Sequence, residues 1–186
     1  MPLTAPERID TERLVVRPVA EADLPALLEV NSDEQVTALL PYARWTSLDD
    51  ARAWLERMMA IQASGSAIQL VIVDQATSLA IGTCLLFRFD DASARAELGY
   101  VLGRAHWGRG LMREALEGLL GHAFGAMGLR RIEAEVDVRN GPSSRLLGRL
   151  GFRREGLLRQ RWFTKGEARD VEIHGLLQDE WRRRGT

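Results

Sequence analysis

The chain has 186 residues, long enough for one domain of ordinary size with a real core. Hydrophobic residues make up 46%, which excludes a disordered chain, and a net charge of −1 leaves no global field to draw nucleic acid or an anionic membrane. No basic-then-apolar leader opens the sequence and no stretch reaches the ~18 apolar residues a membrane-spanning helix needs, so a cytoplasmic protein is expected.

In chain order, Arg13–Arg17 reads as a first strand, stopped by Pro18. Asp23–Val30 reads as a short helix, with Pro25 tolerated in its first turn. An aromatic loop, Pro41–Thr46, follows. Ser47 and Asp50 form a capping-box start for a helix carrying Ala51, Trp54, Leu55, Met58, Met59 and Ile61 on an apolar stripe. Strands at Ala67–Val73, Leu79–Phe87 and Ala94–Leu102 come next; Cys84, the only cysteine, lies in the second and reads as buried packing. Apolar residues then recur at helical spacing from Leu111 to Met127, closed by Gly128. Ile132, Ala134, Val136 and Val138 alternate with charged residues as in a half-buried strand. Pro142 fits the first turn of another helix. Phe152–Leu177 reads as two strands turning at Lys165-Gly166. Strands alternating with helices and ending in a hairpin imply a single domain built on a mixed α/β sheet.

Three places carry chemistry. Trp107-Gly108-Arg109-Gly110-Leu111-Met112 is a glycine turn opening a helix. Gly108 and Gly110 permit positive φ and close approach of the backbone to a ligand. The free N–H groups of Arg109 to Met112 and the helix dipole make an anion site suited to a pyrophosphate, with Arg109 adding charge at the rim; a plain tight turn is the alternative. Asn140 and Ser143 enter the next helix, where both residue types also serve as caps. Glu97 stands in a strand otherwise short of charge, either on a solvated face or facing a reaction site. Gly99, inside the same strand, suggests a bulge or a close backbone approach. His106, His122 and His174 have no partner at metal or triad spacing and read as structural or surface residues, and no metal site is expected.

The order strand, glycine turn, helix, strand, Asn-x-x-Ser helix resembles the acetyl-CoA core of the GCN5-related N-acetyltransferase (GNAT) superfamily, and its ribosomal-protein N-terminal acetyltransferase branch in particular. The resemblance spans Thr11 to about Trp181 within the single domain 1–186. It is strongest from Glu97 to Leu150-Gly151-Phe152. Gly110 matches the superfamily's phosphate turn; Trp107 and Met112 depart from the general pattern in the manner of the branch. The resemblance implies an α/β (α+β) fold whose mostly antiparallel sheet splays at the acetyl-CoA site. It also implies an acetyl-CoA site built from Tyr100, Val101, Leu102, the turn 107–112, Asn140 and Ser143. Ser143 would donate to the leaving sulfur, Glu97 would act as base, and Asp170 would be structural.

The reaction so implied is direct attack of a neutral amine on the acetyl thioester, without an acyl-enzyme. An α-amine of pKa ~7.8 is roughly a quarter neutral near pH 7.4, whereas a lysine at ~10.4 is about one part in a thousand neutral. The expected acceptor is therefore a protein or peptide N-terminus. A small amine or antibiotic is an alternative, as is a catalytically silent acyl-CoA-binding module. The acceptor pocket would come from the Tyr42–Trp45 loop and the Gln160–Lys165 hairpin, with Trp45 and Trp162 either as walls or as packing. The hairpin's exposed strands could support a homodimer.

Overall fold

Near-continuous apolar runs such as Ile68–Val73 bury both faces of the central strands, and helices cover both. The computed structural model describes residues 5–184. The run read for a leader falls largely on residues 1–4, outside the described residues. The strands are β1 (Ile9–Asp10), β2 (Leu14–Pro18), β3 (Ile68–Asp74), β4 (Ala80–Asp90), β5 (Arg95–Leu102), β6 (Arg131–Asp137), β7 (Arg153–Thr164) and β8 (Glu167–Leu177). They form one sheet in the order β1-β2-β3-β4-β5-β6-β8-β7. Every pairing is antiparallel except β5–β6.

On one face lie α1 (Leu24–Ser32), α2 (Glu34–Thr37) and α3 (Leu48–Ala63). On the other lie α4 (Leu111–Gly125) and α5 (Gly141–Arg149), and α6 (Gln178–Arg183) ends the fold. The first face packs Leu24, Leu27, Trp45 and Ala51 on Val15, Val71 and Val73. The second packs Leu116, Leu119 and Leu120 of α4 on Val16, Leu70, Leu86 and Ile132. These three leucines are fully buried, and truncating one to alanine costs about 2–5 kcal/mol.

Several expectations change. The capping box of α3 forms as read, with the Ser47 hydroxyl accepting from the Asp50 N–H. Its apolar stripe holds only in part: Ala51 is buried with Trp54 and Leu55 packed beside it, but Met59 is 63% exposed and Ile61 is exposed too. Val138 is exposed beyond the end of β6, because the alternation stops at Asp137. Gly128 takes φ +65°, three residues after α4 ends, and lets the Leu129 N–H return to the Ala123 carbonyl. α2 and α6 are too short for periodicity to show. Asp33 caps α2 by accepting from the Gln35 and Val36 N–H groups.

The decisive feature is the parallel junction. β5 and β6 pair only at Arg95–Arg131, Ala96–Ile132 and Glu97–Glu133. Beyond Glu97 the strands separate, leaving Leu98–Leu102 without a partner on that side. Their other edge stays paired to β4 from Gly82 to Leu86. Gly99 is not a bulge: it pairs in register with Leu85, and a Cβ there would stand 2.6 Å from the Leu85 side chain. The glycine makes room for packing beside the opening.

Candidate active site

The glycine turn follows β5 directly. Gly108 and Gly110 take φ of +72° and +77°, a region L-residues rarely adopt. A Cβ at Gly108 would meet nothing within 4 Å, and one at Gly110 only Arg13, so the backbone lies open to a ligand. Gly110 is the N-cap of α4, and the first intrahelical bond runs from the Glu114 N–H to the Gly110 carbonyl. The N–H groups of Leu111, Met112 and Arg113 therefore lie ahead of the helix ladder, while the Leu111 and Met112 side chains sit in the core. The Trp107 indole donates to the Leu102 carbonyl (2.8 Å) and ties the turn to the end of β5. Arg109 is exposed, and its carbonyl accepts from Arg13 (3.1 Å).

Across the opening, α5 begins where β6 ends. Asn140 is its N-cap and accepts from the Ser143 N–H (3.2 Å). The Ser143 hydroxyl makes no cap. It lies 2.6 Å from the Tyr100 hydroxyl, so a β5 side chain reaches across the split to α5. Burial pushes the Tyr100 phenol up to about 12, which keeps it protonated and able to donate.

Glu97 points to the opposite face. It is 8% exposed, not on a solvated face. Burial pushes its carboxyl above its ordinary value, the hydrogen bond and charge of Arg88 oppose that, and the neighbouring Glu135 and Glu133 add to it. Arg88 donates to Glu97 at 2.7 Å and stands 3.6 Å from Glu135. It does so from an irregularity of β4 where Arg88 itself has φ +50°. β7 carries a second irregularity, with Gln160 at φ +51° and its N–H donating to Asp170 (2.8 Å). Beside it, Arg161 and the Trp162 indole both donate to Glu135, at 3.0 and 2.9 Å. The Gln160–Asp170 bond ties β7 to β8.

One cavity of about 630 Å³ crosses the sheet through the split. It brings together Trp45, Glu97, Tyr100, Val101, Asn140, Ser143 and Trp162, all expected site residues. Leu102 and residues 107–112 lie outside it, at the end of β5. Trp45 is mostly packing, 7% exposed with its ring 5.2 Å from Trp54, yet it still lines the cavity. Arg88, Glu135 and Arg161 were not singled out from the sequence, because strand irregularities at non-glycine residues leave no mark there. Among the described residues no cluster of three or more His, Cys, Asp or Glu is placed to hold a metal, and no helix is long and apolar enough to cross a membrane.

Residues 13–153 match the family model described as an acetyltransferase (GNAT) domain. The chain is 37% identical to the uncharacterized N-acetyltransferase p20 of Bacillus licheniformis, over 94% of this chain and 98% of that one. It is 30% identical to the [ribosomal protein uS5]-alanine N-acetyltransferase of Escherichia coli, over 94% and 92%. A GCN5-related N-acetyltransferase from Brucella melitensis superposes with a TM-score of 0.86 at 28% identity, covering 97% of this chain and 84% of that one. The chain belongs to the GNAT acetyltransferase family and is an acetyl-CoA-dependent N-acetyltransferase.

Proposed function

We propose that this enzyme acetylates the α-amine of a peptide or protein N-terminus by direct attack. The observation that carries the reading is the cavity through the split sheet, with the buried Glu97 on one face and the Tyr100–Ser143 pair reaching it from the other. Acetyl-CoA supplies the activated acyl group. The N–H groups of the α4 N-terminus, opened by Gly108 and Gly110, hold its pyrophosphate, with Trp107 and Arg109 at the rim. The free edge of β5 at Val101 and Leu102 pairs with the pantetheine arm, and Asn140 fixes the end of α5 beside it. Tyr100 donates to the Ser143 oxygen, which leaves the Ser143 hydrogen free to bond the departing sulfur. Glu97 takes the amine proton, directly or through water, and Trp45 and Trp162 form walls of the acceptor side.

One buried carboxylate suits an α-amine, which is roughly a quarter neutral near pH 7.4. A lysine would need on the order of 3 kcal/mol more help to deprotonate. The Escherichia coli relative, named for the alanine of a ribosomal protein, supports the same class of acceptor. The test supplies acetyl-CoA with one lysine-containing peptide, its N-terminus free or blocked, and separately with a polyamine. Mass spectrometry should find the acetyl group on the free N-terminus. Transfer only to the lysine or the polyamine would contradict the assignment.

A further inference from the structure

The charges lining the acceptor side of the cavity do not cancel. Its inner carboxylates are matched: Glu97 by Arg88, Glu135 by Arg161, Asp137 by Arg139 and Arg169. Asp50 keeps its negative charge without an ion-pair partner, but it is held by the start of α3, accepting from the Thr46 N–H and hydroxyl and from the Ser47 N–H. Two cations remain. Arg44, in the loop before α3, and Arg57, in α3, line the cavity and are exposed. Neither makes a hydrogen bond, ion pair or ring contact with the other described residues. Arg57 shares its helix face with Asp50, Ala53, Trp54 and Met58, all of which also line the cavity, so that α3 face is turned to the acceptor side.

We propose that Arg44 and Arg57 select peptide N-termini that carry Asp or Glu in the residues just after the first. The inference rests on the α-amine reading. With the first residue's amine at Glu97, the following residues extend away from the split at about 3.3 Å each, towards the loop and α3. Carboxylates there meet two cations that lack counter-ions. A lysine-rich segment or a polyamine would instead bring like charge against them. Such complementarity acts mainly on selectivity and capture, and it weakens with salt.

The experiment uses three peptides that share a first residue and differ at residues 2–4: acidic, amide, or lysine. kcat/KM for N-terminal acetylation is measured with wild type, Arg44→Gln, Arg57→Gln and the double variant. An acetyl-CoA-dependent melting shift reports that each variant folds. Wild type should favour the acidic over the amide peptide by about tenfold, and the lysine peptide should be poorest. The preference should shrink in each single variant, disappear in the double variant, and fall at about 0.5 M salt. Equal rates on acidic and amide peptides, or a preference intact in the double variant, would overturn the assignment while leaving the α-amine reading standing. If no peptide N-terminus is acetylated, both fail.

Discussion

Glu97 shows how a fold converts an ordinary strand residue into a candidate base. Its carboxyl is out of water, and one arginine from a strand irregularity tempers the effect. Glu97→Gln should cut turnover most at low pH, where the amine is charged, and rising pH should recover activity as neutral amine increases about tenfold per unit below its pKa. Arg88→Met removes a group that lowers the Glu97 pKa, so the acid limb of its pH–rate profile should move to higher pH. A limb that stays in place, or moves down, would separate Arg88 from Glu97 in function. Ser143→Ala and Tyr100→Phe should each lower kcat by on the order of 10- to 100-fold, with little change in acetyl-CoA affinity. Because one hydroxyl acts through the other, the double variant should be little worse than Ser143→Ala; additive losses would refute the coupling. Glu97, Tyr100 and Ser143 were legible because they stand in a recognisable motif. Arg88, Glu135 and Arg161 were not, because their meeting depends on backbone turns at Arg88 and Gln160 that residue type does not announce.

At the scale of elements, α4 is pinned to the start of the sheet by Glu114. Its carboxylate accepts from the Thr11 hydroxyl (2.6 Å), the Arg13 N–H (2.7 Å) and the Arg13 guanidinium (2.7 Å), while Arg13 also holds the Arg109 carbonyl of the glycine turn. Burial raises the Glu114 pKa, but these bonds outweigh it and the net shift is downward. A depressed carboxyl pKa stabilises the fold above the ordinary carboxylate range, and the gain is lost as pH falls through the folded value. Glu114→Ala should therefore cost about 1–2 kcal/mol near pH 7 by denaturant melting, and the gap to wild type should close in acid. It should also weaken acetyl-CoA binding by loosening the turn. A gap that persists unchanged at low pH would mean that lost packing, not the charge, is responsible. Gly110→Val should abolish the acetyl-CoA melting shift, because a β-branched residue fits poorly at φ +77° and its side chain would fill the space expected for the pyrophosphate. Strands and long helices were legible from alternation and helical spacing. The sidedness of α3 was not: its cavity-facing residues 50, 53, 54, 57 and 58 fall on a regular stripe, but periodicity identifies a face without saying what it faces.

For the molecule as a whole, the sheet is an ordinary scaffold until β5 and β6 part after Glu97–Glu133. The split is what joins the two faces, placing the turn and α5 to one side and the Tyr42–Trp45 loop with the β7–β8 hairpin to the other. Lys165 and Arg169 of that hairpin donate to the carbonyls of Thr37 and Ala38 at the end of α2, so the two acceptor-side walls are fastened to each other. The resemblance implied a splayed sheet, but where the pairing stops depends on long-range register and appears only in the folded chain. In the proposed reaction both substrates meet in this one cavity and react directly. Its most direct test is the affinity of a bisubstrate compound, a peptide N-terminus joined through an acetyl bridge to the sulfur of CoA. Calorimetry should find it bound at least about 100-fold more tightly than CoA alone, with Glu97→Gln and Trp162→Ala eroding the gain. A compound that binds no better than CoA, or whose gain ignores both substitutions, would contradict transfer through the split.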